Sequence, residues 1–203
     1  MTIALVNYGL GNIKAYANIY RVLNIPCMVA NSSEELKQAS KIILPGVGAF
    51  DWAMKRLNQS GMRDTLDELV LNQKTPVLGI CVGMQMMAKK SEEGSADGLG
   101  WVDAEVVRFN DGQLKQAPLP HMGWNDVVPL KTDCLFKGID APRYYYLHSY
   151  YFCAHQESDV LATTFYGSEF TAAIASDNIY GTQFHPEKSH RWGIDLLNNF
   201  YGL

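Results

Sequence analysis

The sequence predicts an α/β fold: a mostly parallel sheet with helices on both faces, and a strand-rich C-terminal half. Two observations predict it. Up to about Gly94, short apolar runs alternate with helix-length amphipathic stretches, the pattern of parallel strands joined by crossover helices. Beyond Gly94 the texture changes to short strand-like segments parted by polar or Gly/Pro turns.

Ile3-Ala4-Leu5-Val6 reads as the first strand, followed by the glycine-rich Gly9-Leu10-Gly11-Asn12 and a helix from Ile13 to Leu23. Cys27 to Ala30 is a second strand. Ser32 with Glu35 three positions on forms a capping-box signature opening a helix from Glu34 to Ala39. Lys41-Ile42-Ile43-Leu44 is the third strand and runs into Pro45-Gly46-Val47-Gly48. Helices over Phe50 to Leu57 and Met62 to Leu71 then precede a fourth strand, Val77 to Ile80, and the helix-like Met84 to Ala88. In the second half, Trp101 to Phe109, Asp126 to Pro129, Arg143 to Cys153, Val160 to Phe165, Phe170 to Ala175 and Ile179 to Phe184 read as strands. Ile194, Leu196, Leu197, Phe200 and Tyr201 mark one face of a closing helix. No repeat, low-complexity tract or linker interrupts the 203 residues, so one domain spanning 1–203 is expected.

Composition excludes several classes. Lys and Arg total 17 against 21 Asp and Glu, a net charge of −4, so no basic excess invites nucleic acid. Every apolar run falls short of the roughly 18 residues that span a membrane, and no signal-like N-terminus stands before them; a cytoplasmic, soluble chain is expected. Cys27, Cys81, Cys134 and Cys153 are scattered, with neither disulfide nor zinc spacing, so no metal and no cofactor is expected.

Cys81 differs from the other three. Gly79-Ile80-Cys81-Val82-Gly83 lies between a strand and a helix, the glycine-flanked elbow that lifts a nucleophile clear of a sheet and sets it at a helix N-terminus, where thiolate is favoured. Taken alone, the turn fits a catalytic thiol and a buried structural cysteine equally. Gln183-Phe184-His185-Pro186-Glu187 follows the last strand, and residues two apart on extended chain point the same way, so Glu187 can orient His185. A lone His-x-Glu is more often a surface ion pair. Beside a cysteine elbow on a parallel sheet it becomes a general acid–base for acyl transfer. The Val82 amide then offers one oxyanion donor. A second could come from Pro45-Gly46-Val47-Gly48, where glycines permit a peptide flip, although a plain strand-to-helix turn explains the same residues.

These motifs, together with Asn7-Tyr8-Gly9-Leu10-Gly11-Asn12, Met84-Gln85, Pro120-His121-Met122-Gly123-Trp124-Asn125, His148-Ser149-Tyr150 and the run to Lys188-Ser189, resemble the class I glutamine amidotransferases over essentially the whole chain. The resemblance implies a flavodoxin-like sheet and a Cys81-His185-Glu187 triad that hydrolyses glutamine. It implies that Val47, Gly48 and Val82 frame the oxyanion hole and that Gln85, Ser149 and Tyr150 hold glutamine. Within the class, the motifs are similar to glutaminase subunits that pass ammonia to a (β/α)8-barrel cyclase in histidine biosynthesis, as half of a heterodimer; its products are imidazole glycerol phosphate and an aminoimidazole carboxamide ribotide. Asn12, His121, Met122, Trp124 and Lys188 would then face the barrel. Trp and Met are also favoured at interface cores, although Trp124 by itself reads as core.

Val82 stands where that group commonly has leucine and Asn7 where it commonly has aspartate. An alternative is a paralogous glutaminase that feeds amidation of a surface-polysaccharide sugar. Readings of other kinds are a thiol peptidase and a non-catalytic docking subunit.

Overall fold

The computed structural model describes residues 1–110, 112, 114 and 118–203. The first half contains β1 (Ile3–Val6), α1 (Ile13–Val22), β2 (Cys27–Ala30), α2 (Ser33–Leu36), β3 (Lys41–Gly46), α3 (Phe50–Gln59), α4 (Arg63–Asp67), β4 (Val77–Cys81) and α5 (Val82–Gln85). The second contains β5 (Lys90–Ser91), β6 (Ala104–Arg108), β7 (His121–Asp126), β8 (Val128–Pro129), β9 (Arg143–His148), β10 (Tyr150–Ala154), β11 (Val160–Tyr166), β12 (Ser168–Ser176), β13 (Ile179–Thr182) and α6 (His190–Gly202).

Eight strands form the main sheet in the order β2-β1-β3-β4-β13-β12-β11-β8. The first five run parallel, and the last three are added antiparallel. Every residue of β1, β3 and β4 is buried, as strands covered on both faces must be. Counting parallel strands alone, the order is 2-1-3-4-5, the flavodoxin-like arrangement, which gathers strand C-terminal ends along one edge. Two smaller sheets, β10-β6-β5 and the β7-β9 ribbon, lie outside it.

Several boundaries depart from the sequence reading. Ser32 caps α2 by accepting from the Glu35 amide at 3.3 Å, but the Glu35 carboxylate accepts from the Asn31 amide instead of closing the box on Ser32. The helix expected to Leu71 is α-helical only to Asp67 and continues as a π-turn over Glu68–Asn72. α5 stops at Gln85. The single strand read from Arg143 to Cys153 is broken at Ser149 into β9 and β10, which turns Ser149 toward the edge where β4 ends.

β7 has no counterpart in the sequence pattern. His121-Met122-Gly123-Trp124-Asn125-Asp126 has no β-branched residue and a central glycine, so pairing with β9, rather than intrinsic preference, makes it extended. No helix among the described residues is long and apolar enough to cross a membrane.

Candidate active site

Cys81 ends β4 and precedes the first turn of α5, with φ 55° and ψ −114°, a conformation rarely adopted by a residue bearing a side chain. The elbow holds because its flanking positions carry no Cβ. A Cβ on Gly83 would lie on the Leu44 carbonyl, and one on Gly79 would meet the Met87 side chain at 2.6 Å. Gly46, paired with Cys81 in the sheet, has the same constraint against the Val82–Gly83 backbone.

His185 reaches the same place from β13. Its amide donates to the Tyr145 carbonyl at 2.9 Å, and Ser189 Oγ donates to its carbonyl at 2.6 Å. Nδ1 donates to Glu187 Oε1 at 3.1 Å, leaving the other ring nitrogen for the Cys81 sulfur. Burial disfavours the imidazolium, but the charge and hydrogen bond of Cys81, followed by those of Glu187, outweigh it and raise the His185 pKa to about 10. The Glu187 carboxyl, itself buried, is held below the usual range by hydrogen bonds from His185 and Tyr16. Tyr16 is on α1 and donates to Glu187 Oε2 at 2.6 Å. This arrangement can deliver a thiol sulfur to an electrophilic carbon and return a proton to the leaving group.

A cleft of ≈ 310 Å³ opens over Cys81. Val47, Gly48, Val82, Gln85, Ser149, Tyr150, His185 and Lys188 all border it. Glu187 does not; it sits behind His185. Gln85 Nε2 donates to the Tyr150 carbonyl at 2.9 Å and to Gln183 Oε1 at 3.2 Å, while Gln183 Nε2 lies 3.9 Å from the Cys81 sulfur. Gly48 has φ +85°, and a Cβ there would meet nothing within 4 Å. The amides of Val47 and Gly48 have no acceptor among the described residues. Val82 opens α5, so its first-turn amide adjoins the Cys81 sulfur.

The sequence reading missed Tyr16, Gln183 and Glu93. Glu93 borders the cleft and accepts from the Phe50 amide at 2.8 Å, presenting a carboxylate to anything bound there. Its sequence neighbourhood, Ser91-Glu92-Glu93-Gly94, reads as an ordinary polar turn.

Of the five residues expected to face a partner, Asn12, Met122, Trp124 and Lys188 are at the surface. Met122 is 63% exposed and Trp124 39%, with its ring stacked on His190 at 5.4 Å. Lys188 Nζ lies 5.5 Å over the Tyr145 ring. His121 corrects the expectation, being only 3% exposed: strand alternation on β7 turns Met122 and Trp124 outward and His121 inward.

The chain matches the family described as glutamine amidotransferase class-I over residues 4–202. It is 56% identical over 200 residues to the imidazole glycerol phosphate synthase subunit HisH of Bdellovibrio bacteriovorus, covering 98% of both chains. It is 47% identical over 203 residues to the protein of the same name in Leptospira interrogans, covering 99% of this chain and all of that one. Among solved structures, a glutamine amidotransferase from Thermotoga maritima superposes with a TM-score of 0.64 at 18% identity, over 100% of this chain and 83% of that one, a likeness of fold.

Proposed function

This chain belongs to the class-I glutamine amidotransferases and is an enzyme with glutaminase activity, and we propose that it is the glutaminase subunit of an imidazole glycerol phosphate synthase, a single cytoplasmic domain that supplies ammonia to a (β/α)8-barrel cyclase. The observation that carries the reading is the meeting of Cys81, at the β4–α5 elbow, with His185 and the Glu187 behind it, from the turn after β13, beside one cleft.

Glutamine enters the cleft with its side-chain amide against Cys81. The site's carboxylate, Glu93, complements the α-ammonium group, and the backbone of Ser149 and Tyr150, braced by Gln85, holds the amino-acid end. The Cys81 sulfur attacks the amide carbon. The oxyanion that forms accepts from the Val82 amide and from an amide of the Val47–Gly48 turn. His185, kept protonated by its neighbours, gives its proton to nitrogen as the C–N bond breaks, so that ammonia leaves and a glutamyl thioester remains. Water then loses a proton to His185 and attacks the thioester, releasing glutamate and restoring the thiolate–imidazolium pair. Glu187 orients the imidazole throughout.

The barrel docks on the surface bearing Asn12, Met122, Trp124 and Lys188, the last of which borders the cleft, and takes the ammonia. The test is glutamate release by the chain with its barrel partner, with and without the ribonucleotide substrate of the cyclase. Stimulation by the ribonucleotide supports the reading. Glutaminase activity indifferent to it would move the protein to the polysaccharide-amidation branch.

A further inference from the structure

His121 and His148 are directly opposed across the β7-β9 ribbon, so their side chains share a face. His121 Nδ1 and His148 Nε2 lie 3.0 Å apart in a buried setting. The direction of this bond is fixed from its far end. His148 Nδ1 is 2.9 Å from the Tyr150 carbonyl, which can only accept, so His148 donates there. A neutral His148 then has an accepting Nε2, and His121 must donate from Nδ1. His121 Nε2 in turn accepts from Asn125 Nδ2 at 3.2 Å, and the other proton of that amide goes to the Phe165 carbonyl at 3.0 Å. Burial holds both imidazoles neutral, with pKa values lowered to about 4 for His121 and about 3 for His148.

The Tyr150 carbonyl is therefore clamped by two donors, His148 and Gln85, at the edge of the cleft. His121 also stacks between Tyr146, at 4.6 Å, and Tyr166, at 3.9 Å. A phenylalanine would fill that slot without the cost of burying two ring nitrogens; the imidazole adds a donor on one edge and an acceptor on the other.

We propose that His121 is a positioning residue for glutamine: its Nδ1 proton fixes the tautomer in which His148 holds the Tyr150 carbonyl, and so sets the loop that grips the amino-acid end of the substrate. The inference rests on the glutaminase reading given above.

The test compares His121→Phe with His121→Asn in the full chain bound to its barrel partner. Phenylalanine keeps the ring and removes the hydrogen bonds, whereas the asparagine Nδ2 stands where Nδ1 stood and can donate to His148. The expected result is a glutamine KM raised about tenfold in His121→Phe, with kcat within about threefold of wild type, and most of that loss recovered in His121→Asn. A KM unchanged in His121→Phe, or equal impairment in both variants, overturns the proposal. Should His121→Phe not fold, nitrogen NMR of the wild-type histidines decides: a neutral, Nδ1-protonated His148 at pH 6 is expected, and an Nε2-protonated or charged ring contradicts it. Wild-type protein that releases no glutamate would sink the glutaminase reading and this inference together. Wild-type turnover with an unaltered His121→Phe sinks this inference alone.

Discussion

On one side of the cleft, His185 is fixed through its amide, its carbonyl and Nδ1, and Glu187 behind it accepts from both His185 and Tyr16. On the other side, the Val47–Gly48 turn has amides without acceptors among the described residues, a φ of +85° at Gly48, and open space around it. Cys81 and His185, the proposed nucleophile and its base, are thus set by the fold itself. The turn proposed to stabilise the oxyanion is left adjustable, and Val47, 39% exposed, borders the cleft. On the proposed reading, a partner that settles this turn would raise ammonia release without rebuilding the triad.

The largest effect expected on the fixed side comes from Cys81→Ala. Glutamate release in the complex should fall by at least about 10⁴-fold, as when other catalytic nucleophiles are removed, with little change in melting temperature. Activity surviving unchanged would remove Cys81 from the chemistry.

Glu187→Gln should cost about 10³–10⁴-fold in kcat. It should also move the pH profile in a fixed direction. The Glu187 charge helps raise the His185 pKa to about 10, so wild-type kcat/KM should fall on the alkaline side near that value as the imidazolium loses its proton. Removing the charge lowers the pKa, and the alkaline limb should shift to lower pH. A shift the other way would mean that Glu187 does not stabilise the charged ring.

On the adjustable side, Gly48→Ala should lower kcat about 10- to 100-fold, because an L side chain disfavours positive φ while its methyl group meets no obstacle. Folding should be only slightly weakened. The contrast with Gly83→Ala sharpens the comparison, since that methyl group would strike the Leu44 carbonyl and should destabilise the whole protein.

The smallest effect belongs to Tyr16→Phe, which removes one donor from Glu187 and should reduce kcat roughly three- to tenfold while leaving glutamine KM unchanged. A change in KM alone would place Tyr16 in substrate binding instead.

The fixed side was the more legible in the sequence. The cysteine elbow and the His-Pro-Glu turn are short local patterns whose geometry is set by glycines, by strand alternation and by the end of a strand, and the parallel character of the sheet followed from apolar runs alternating with helices. What escaped depends on contacts between distant segments. Tyr16 and Glu187 are 171 positions apart, and nothing near Tyr16 distinguishes it from any other aromatic residue on a buried helix face. Glu93 sits in a polar turn that becomes part of a site only when it folds over Phe50. The inward turn of His121 became visible only once β7 proved to be a strand, because alternation has no meaning until the chain is extended.

Alkylation of Cys81 by iodoacetamide, measured beside glutamate release in the isolated chain and in the complex, tests the division most directly, since alkylation needs the thiolate but no oxyanion hole. Alkylation rates within about threefold of each other are expected while glutamate release rises at least about a hundredfold on docking. Alkylation that rises in step with glutamate release would show that the triad itself is assembled by the partner, and would contradict it.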